Sequence, residues 1–287
     1  MPLNRRFWRR ATGAGVRLGW LCLALTTLMA LTTLTAHAGH PCKPAKPPTA
    51  QALGRSMALA QRTAQALEAE HQRHGTQVVL LGRAGQDLTA YGLHYSHLGW
   101  AYRTPAGPWR VVHKLNQCGS AVGQLYRQGL GEFFLDDLWR YEAVWAVPTP
   151  AVQQQLWPLL QDKRRVTLLQ HRPYSLVSYV WGQRYQQSNQ WAIETLAAAM
   201  VPDGIRNRDQ AQAWLQFQGY RPGTLQISAW RRLGARAASA HIAFDDHPQR
   251  QRLTGRIETV TADSVLAWLP RAQLASAPVT LSEGDPP

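Results

Sequence analysis

An α+β fold is what this sequence predicts, and three features carry the prediction. Apolar residues recur at helical spacing between Ala52 and His74. Two short β-rich runs flank the turn Thr104-Pro105-Ala106-Gly107-Pro108. Further helical runs follow Ser188 and Asn207. There is no internal repeat and no coiled-coil heptad.

Residues 1–38 read as an export signal and are set aside from the fold. Arg5, Arg6, Arg9, Arg10 and Arg17 form a cationic start, Leu18 to Leu34 an apolar stretch, and Ala36-His37-Ala38 a small-x-small cleavage site. An uncleaved membrane anchor is the competing reading, because the apolar run nearly reaches spanning length. Export to the periplasm or beyond is the expectation. Residues 39–76 then form a Pro/Lys leader and the first helix, where Leu53, Met57, Ala60, Ala64 and Leu67 share a face and Gly75 ends the run.

The span 77–202 is expected to be the core. It opens on a buried strand, Val78 to Leu81, and a loop from Gly82 to Gly92. His94 to Tyr102 and Trp109 to Leu115 follow as a hairpin. Leu125 to Phe134, rich in Gly and aromatic residues, reads as helix and loop, and Tyr141 to Val147 as another strand. Thr149-Pro150 starts a helix to about Leu160, and a later helix opens at Ser188 and runs to about Met200. Residues 203–274 form a C-terminal extension whose first helix, Asn207 to Gln218, stops at Gly219. Residues 275–287, rich in Pro, Ser and acids, read as a disordered tail.

The chain carries 31 Lys+Arg against 17 Asp+Glu, a net charge of +14; removing the five signal arginines leaves +9 on 249 residues. Nucleic acid is the usual partner of so basic a chain, but export argues against it and favours anionic wall polymer or lipid head groups. No second long apolar stretch exists, so a soluble mature protein is expected. Cys42 and Cys118, the cysteines left after cleavage, are expected to form a disulfide in an oxidising compartment. The sharper alternative makes Cys118 a nucleophile with His97 or His113 as its base. His241 with Asp245, Asp246 and His247 offers mixed nitrogen and oxygen ligands, yet Pro248 beside them makes a polar turn the plainer reading. No metal and no cofactor is expected.

The chemistry concentrates in Tyr95-Ser96-His97-Leu98-Gly99-Trp100 and Val111-Val112-His113. Paired strands would bring the two histidines together on one face as a base and its orienting partner. Ser188, at a helix start, reads either as a nucleophile or as an N-cap, and Asn189 and Gln190 read as caps. The order of these segments resembles the circularly permuted papain-like proteins, which include NlpC-related hydrolases of the YiiX type and the lecithin retinol acyltransferase type. A wider pattern, Gly85-Gln86-Asp87-Leu88, Gly129 to Asp136 and Ser188 to Trp191, resembles an uncharacterised bacterial group, domain of unknown function 2145.

The resemblance implies a permuted papain-like antiparallel sheet with packed helices. It implies His97 as general base, His113 as the orienting residue and Ser188 at the nucleophile position, where that superfamily has cysteine. Two functions follow as expectations. One is an exported hydrolase or acyltransferase that acts on an amide or ester in an envelope polymer, lipid or acylated protein. The other is a non-catalytic descendant that binds an envelope ligand or partner in the old cleft.

Overall fold

A six-stranded antiparallel sheet organises the chain. The computed structural model describes residues 48–117, 119–136 and 138–285. The export signal read over 1–38 and the Cys42–Cys118 pairing lie outside the described residues. At the centre, β1 (Val78–Ala84) is buried along its whole length, with β2 (His97–Arg103) on one side and β5 (Arg140–Ala146) on the other. Beyond β2 come β3 (Trp109–Asn116) and the edge strand β4 (Gly123–Gly129), so the predicted hairpin is β2–β3.

Helices cover both faces. On one lie α1 (Ala50–His74) and α2 (Leu130–Phe134), which bury Leu59, Leu67, Phe133 and Phe134 against Val79, Leu81, Ala101 and Val111. On the other lie α3 (Pro150–Gln161), α5 (Ser188–Met200), α6 (Arg208–Phe217) and α9 (Ala262–Arg271), packed with Leu80, Leu98, Trp100 and Val112 into one continuous core. A short α4 (Lys163–Val166) follows α3. Residues of the C-terminal extension, such as Val265 and Trp268, share that core with Trp191, so the extension is not a separate lobe. A two-stranded ribbon of β6 (Gly223–Gln226) and β7 (Arg256–Thr259), with α7 (Ala229–Ala238) and α8 (Gln249–Thr254), builds a smaller third cluster around Phe244 and Ile257.

Three segments depart from the sequence reading. The first strand runs through Gly82, which pairs with Leu98 and Val144, and a Cβ there would stand 2.8 Å from Val144 Cγ1 and 2.9 Å from Leu98 Cδ2. Its glycine marks close packing and not a loop. Leu125 to Phe134 is divided evenly between the edge strand β4 and the short helix α2, where helix and loop were expected. The supposed tail contributes β8 (Val279–Ser282), which pairs with β5. Arg62 on α1 holds it there, its Nη1 donating to Ser282 O at 2.9 Å and Glu283 O at 3.1 Å.

Candidate active site

β2 begins at His97, and alternation along the strand sends Leu98, Trp100 and Tyr102 toward α5. His97 therefore turns to the α2 side, where its ring centroid lies 5.9 Å from that of Phe133. His113 on β3 points the same way, its centroid 5.2 Å from Phe133. The two rings meet directly: His97 Nε2 and His113 Nδ1 are 2.7 Å apart. Gly99 permits this approach, because a Cβ there would stand 2.7 Å from Val111 Cγ1 and 3.0 Å from His113 Cβ.

A third group completes the chain. His113 Nε2 lies 2.7 Å from Gln128 Oε1 on the edge strand. An amide oxygen only accepts, so His113 Nε2 carries the proton and its Nδ1 offers a lone pair. His97 must then donate from Nε2, which leaves His97 Nδ1 as a bare base. No hydrogen bond among the described residues occupies that nitrogen. Burial, then Arg83 and then His113, hold His97 well below the ordinary histidine value of 6.5. Burial and Arg83 push His113 down to about 4, against the opposing pull of Gln128 and Asp136. Both rings are therefore neutral at physiological pH, as the tautomer assignment requires.

Arg83, paired with His97 in the β1–β2 register, is buried. Its guanidinium donates to Phe133 O and Asp136 and lies 4.8 Å from the Phe133 ring centroid. Arg83 thus locks α2 beneath the two histidines and adds its positive field to the burial that keeps them neutral.

Ser188 is the first residue of α5, and it is not the cap. Gln187 caps the helix, its side chain accepting from Asn189 N at 3.2 Å. Asn189 and Gln190, read from the sequence as caps, serve instead as ties. Asn189 Oδ1 accepts from Leu98 N at 2.9 Å, and Gln190 Nε2 donates to Val180 O at 2.9 Å. The Ser188 hydroxyl is paired with Tyr174 Oη at 3.3 Å. Burial raises the Tyr174 pKa, so the phenol keeps its proton. The Ser188 N–H meets no protein acceptor among the described residues, as expected at a helix N-terminus.

A cavity of about 340 Å³ wraps the start of β2 and is bordered by both His97 and Ser188, with Arg83, Asp136 and Tyr174 also on its wall. No hydrogen bond among the described residues links Ser188 to His97. The structure thus brings His97 and His113 into contact and puts His97 and Ser188 on the wall of one cavity. Gln128, Arg83 and Tyr174 escaped the sequence reading. Once β4 is known to be a strand, its register, with His113 opposite Tyr126, puts Gln128 on the histidine face. That register was the signal for Gln128.

Three residues of the other candidate cluster make structural contacts. His247 Nε2 lies 2.8 Å from Val177 O, Asp246 Oδ2 accepts from Tyr179 N at 2.8 Å, and Asp245 pairs with Arg184 at 3.1 Å. These contacts pin the loop at 241–247 to the loop that carries Tyr174 to Tyr179.

Fold and site together define an α+β protein with two buried, paired strand histidines, a half-buried glutamine behind them and a helix-borne serine on the cavity that His97 borders. The family model described as "Uncharacterized protein conserved in bacteria (DUF2145)" matches residues 70–269, and the chain belongs to that family. No curated protein and no solved structure matches it.

Proposed function

We propose that the protein is an exported, permuted papain-like acyl-transfer enzyme, a hydrolase or acyltransferase that attacks an ester or amide with Ser188. One observation carries the reading: the Gln128–His113–His97 chain leaves His97 Nδ1 without a hydrogen bond among the described residues, and His97 and Ser188 border one cavity. His97 Nδ1 takes the Ser188 proton as Oγ attacks the carbonyl carbon. His97 then returns that proton to the leaving alcohol or amine as the acyl-serine forms, and water or an acceptor alcohol repeats the cycle. The unpaired Ser188 N–H at the start of α5 is the donor best placed for the oxyanion. His113 and Gln128 act through His97 by fixing its tautomer.

The partner class is an envelope polymer, lipid or acylated protein reached at an anionic surface. Supporting this, α7 and α8 carry Arg231, Arg232, Arg236, Arg250 and Arg252 without an acid, beside the exposed side chains of Trp230, Leu233 and Leu253. Periplasmic or secreted localisation, the signal peptide and the Cys42–Cys118 disulfide complete the proposal. Among the described residues, no helix is long and apolar enough to cross a membrane.

Ester and amide probes test the reading. Ser188→Ala and His97→Ala should each abolish turnover while unfolding stays cooperative. Ser188→Cys should keep or raise activity, since a thiol ionises more readily than a hydroxyl. His113→Ala should cost less, because it only orients the base. A second reading, a binding protein on the same fold, rests on the engagement of the Ser188 hydroxyl with Tyr174 instead of His97. It takes over if Ser188→Ala changes nothing but stability.

A further inference from the structure

A second cavity, of about 180 Å³, lies directly behind the Ser188 cleft, and the two share Gln86, Ser96, Leu176 and Gln187 as a common wall. Its body is apolar: Leu93, Val177, Leu225, Ile227 and Phe244 line it, and α7 closes it with Ala235. The polar side chains on its inner wall are already committed. Gln187 Nε2 donates to Thr259 Oγ1 at 3.0 Å and to Val260 O at 2.6 Å, while its Oε1 accepts from Asn189 N. Asn189 spends its amide on Leu98 N and on Val260 O at 3.2 Å. An occupant therefore finds few free donors or acceptors inside, and only apolar surface is rewarded. Arg231 lies on the lining where α7 reaches solvent, and no ion pair engages it among the described residues. For size, an apolar protein cavity of about 150 Å³ accepts a benzene-sized guest.

We propose that this cavity is the acyl subsite: it holds an unbranched aliphatic acyl chain of about six to eight carbons, with the carbonyl end delivered past Gln187 toward Ser188. The assignment of the chain as substrate rests on the acyl-transfer reading above; the binding of the chain does not. The shared chemistry, an aliphatic acyl group, can come from a lipid or from an acylated peptide.

Ser188→Ala protein, which binds without turning over, separates the two questions. Calorimetric titration with butanoate, hexanoate and octanoate should show affinity rising about fourfold per methylene, the equivalent of about 0.8 kcal/mol per buried CH₂, and levelling once the cavity is full. Ala235→Phe, which fills the cavity, should weaken octanoate at least tenfold; Leu93→Trp, on the same apolar lining, serves if that variant does not fold. Affinity that is flat with chain length, or indifferent to a folded cavity-filling variant, overturns the subsite even if ester turnover is intact. Chain-length-dependent binding with no turnover by the wild-type protein leaves the subsite standing and overturns only the enzyme. Dihexanoylphosphatidylglycerol and an octanoyl-lysine peptide are the two source arms, and the tighter binder names the source. Failure of both to compete with octanoate would contradict the proposal.

Discussion

Gln128 decides what the two histidines can be. A neutral acceptor at the end of the chain orients His113, and its upward pull on the His113 pKa is outweighed by burial and Arg83, so the pair stays neutral. This makes stability depend on pH in a defined direction. Both folded pKa values lie below the unfolded value of 6.5, so the unfolded chain binds protons first on acidification. The stability these rings contribute is complete above pH 6.5 and is lost as pH falls toward 4. For His113 the loss comes to about 3 kcal/mol. Urea unfolding followed between pH 7 and 4 should show this slope, and His113→Gln should flatten it. A second residue-scale expectation concerns Gly99. Gly99→Ala places a methyl 3.0 Å from His113 Cβ and 2.7 Å from Val111 Cγ1, so it should destabilise by about 1–3 kcal/mol and reduce turnover far more than a surface glycine change. Measured kcat beside the unfolding midpoint checks both parts.

Elements with a strong period or stop signal were legible in the sequence, and those shaped by tertiary contact were not. The first helix, the β2–β3 hairpin and α5 appear where apolar spacing, the Pro/Gly turn and the polar start at Ser188 place them. Strand β4 was hidden because Gly123, Gln124, Arg127 and Gln128 lack the apolar alternation of a core strand, as suits an edge. β8 was hidden because its anchor is Arg62, more than 200 residues away in sequence. The pairing of the histidines followed from strand pairing, whereas the Tyr174 partner of Ser188 arrives on an irregular loop that no periodicity reports.

That same loop region shows how α5 is held in register. Buried Glu194 accepts from Arg208 Nε at 2.9 Å and Nη2 at 3.1 Å, and from Gln212 Nε2 at 2.9 Å. Gln186 bridges it to Lys114, whose ammonium burial and Arg208 push down to about 7. Arg208→Leu strands Glu194 without its counter-ion and should cost about 3–5 kcal/mol. Chemical denaturation reads this cost, and Arg208→Lys should recover only part of it, since ammonium cannot reproduce the two-pronged contact.

At the scale of the whole molecule, a small basic subassembly walls the apolar cavity next to the site. With α7 and α8 rich in arginine beside exposed Trp230 and Leu233, the mature protein should sediment with vesicles containing phosphatidylglycerol and much less with phosphatidylcholine alone. Raising salt should weaken the association, and a Trp230→Ser, Leu233→Ser double variant should reduce it at low salt as well. Equal binding to both vesicle types would remove the anionic-surface reading.

The central claim is that Ser188 is made nucleophilic by His97 across their common cavity. Treating the folded mature protein with a fluorophosphonate and mapping the adduct by peptide mass spectrometry tests it most directly. One modified residue is expected, Ser188, with labelling lost in His97→Ala and slowed in Gln128→Leu. A protein that stays unlabelled at Ser188, or labels equally well without His97, would contradict it.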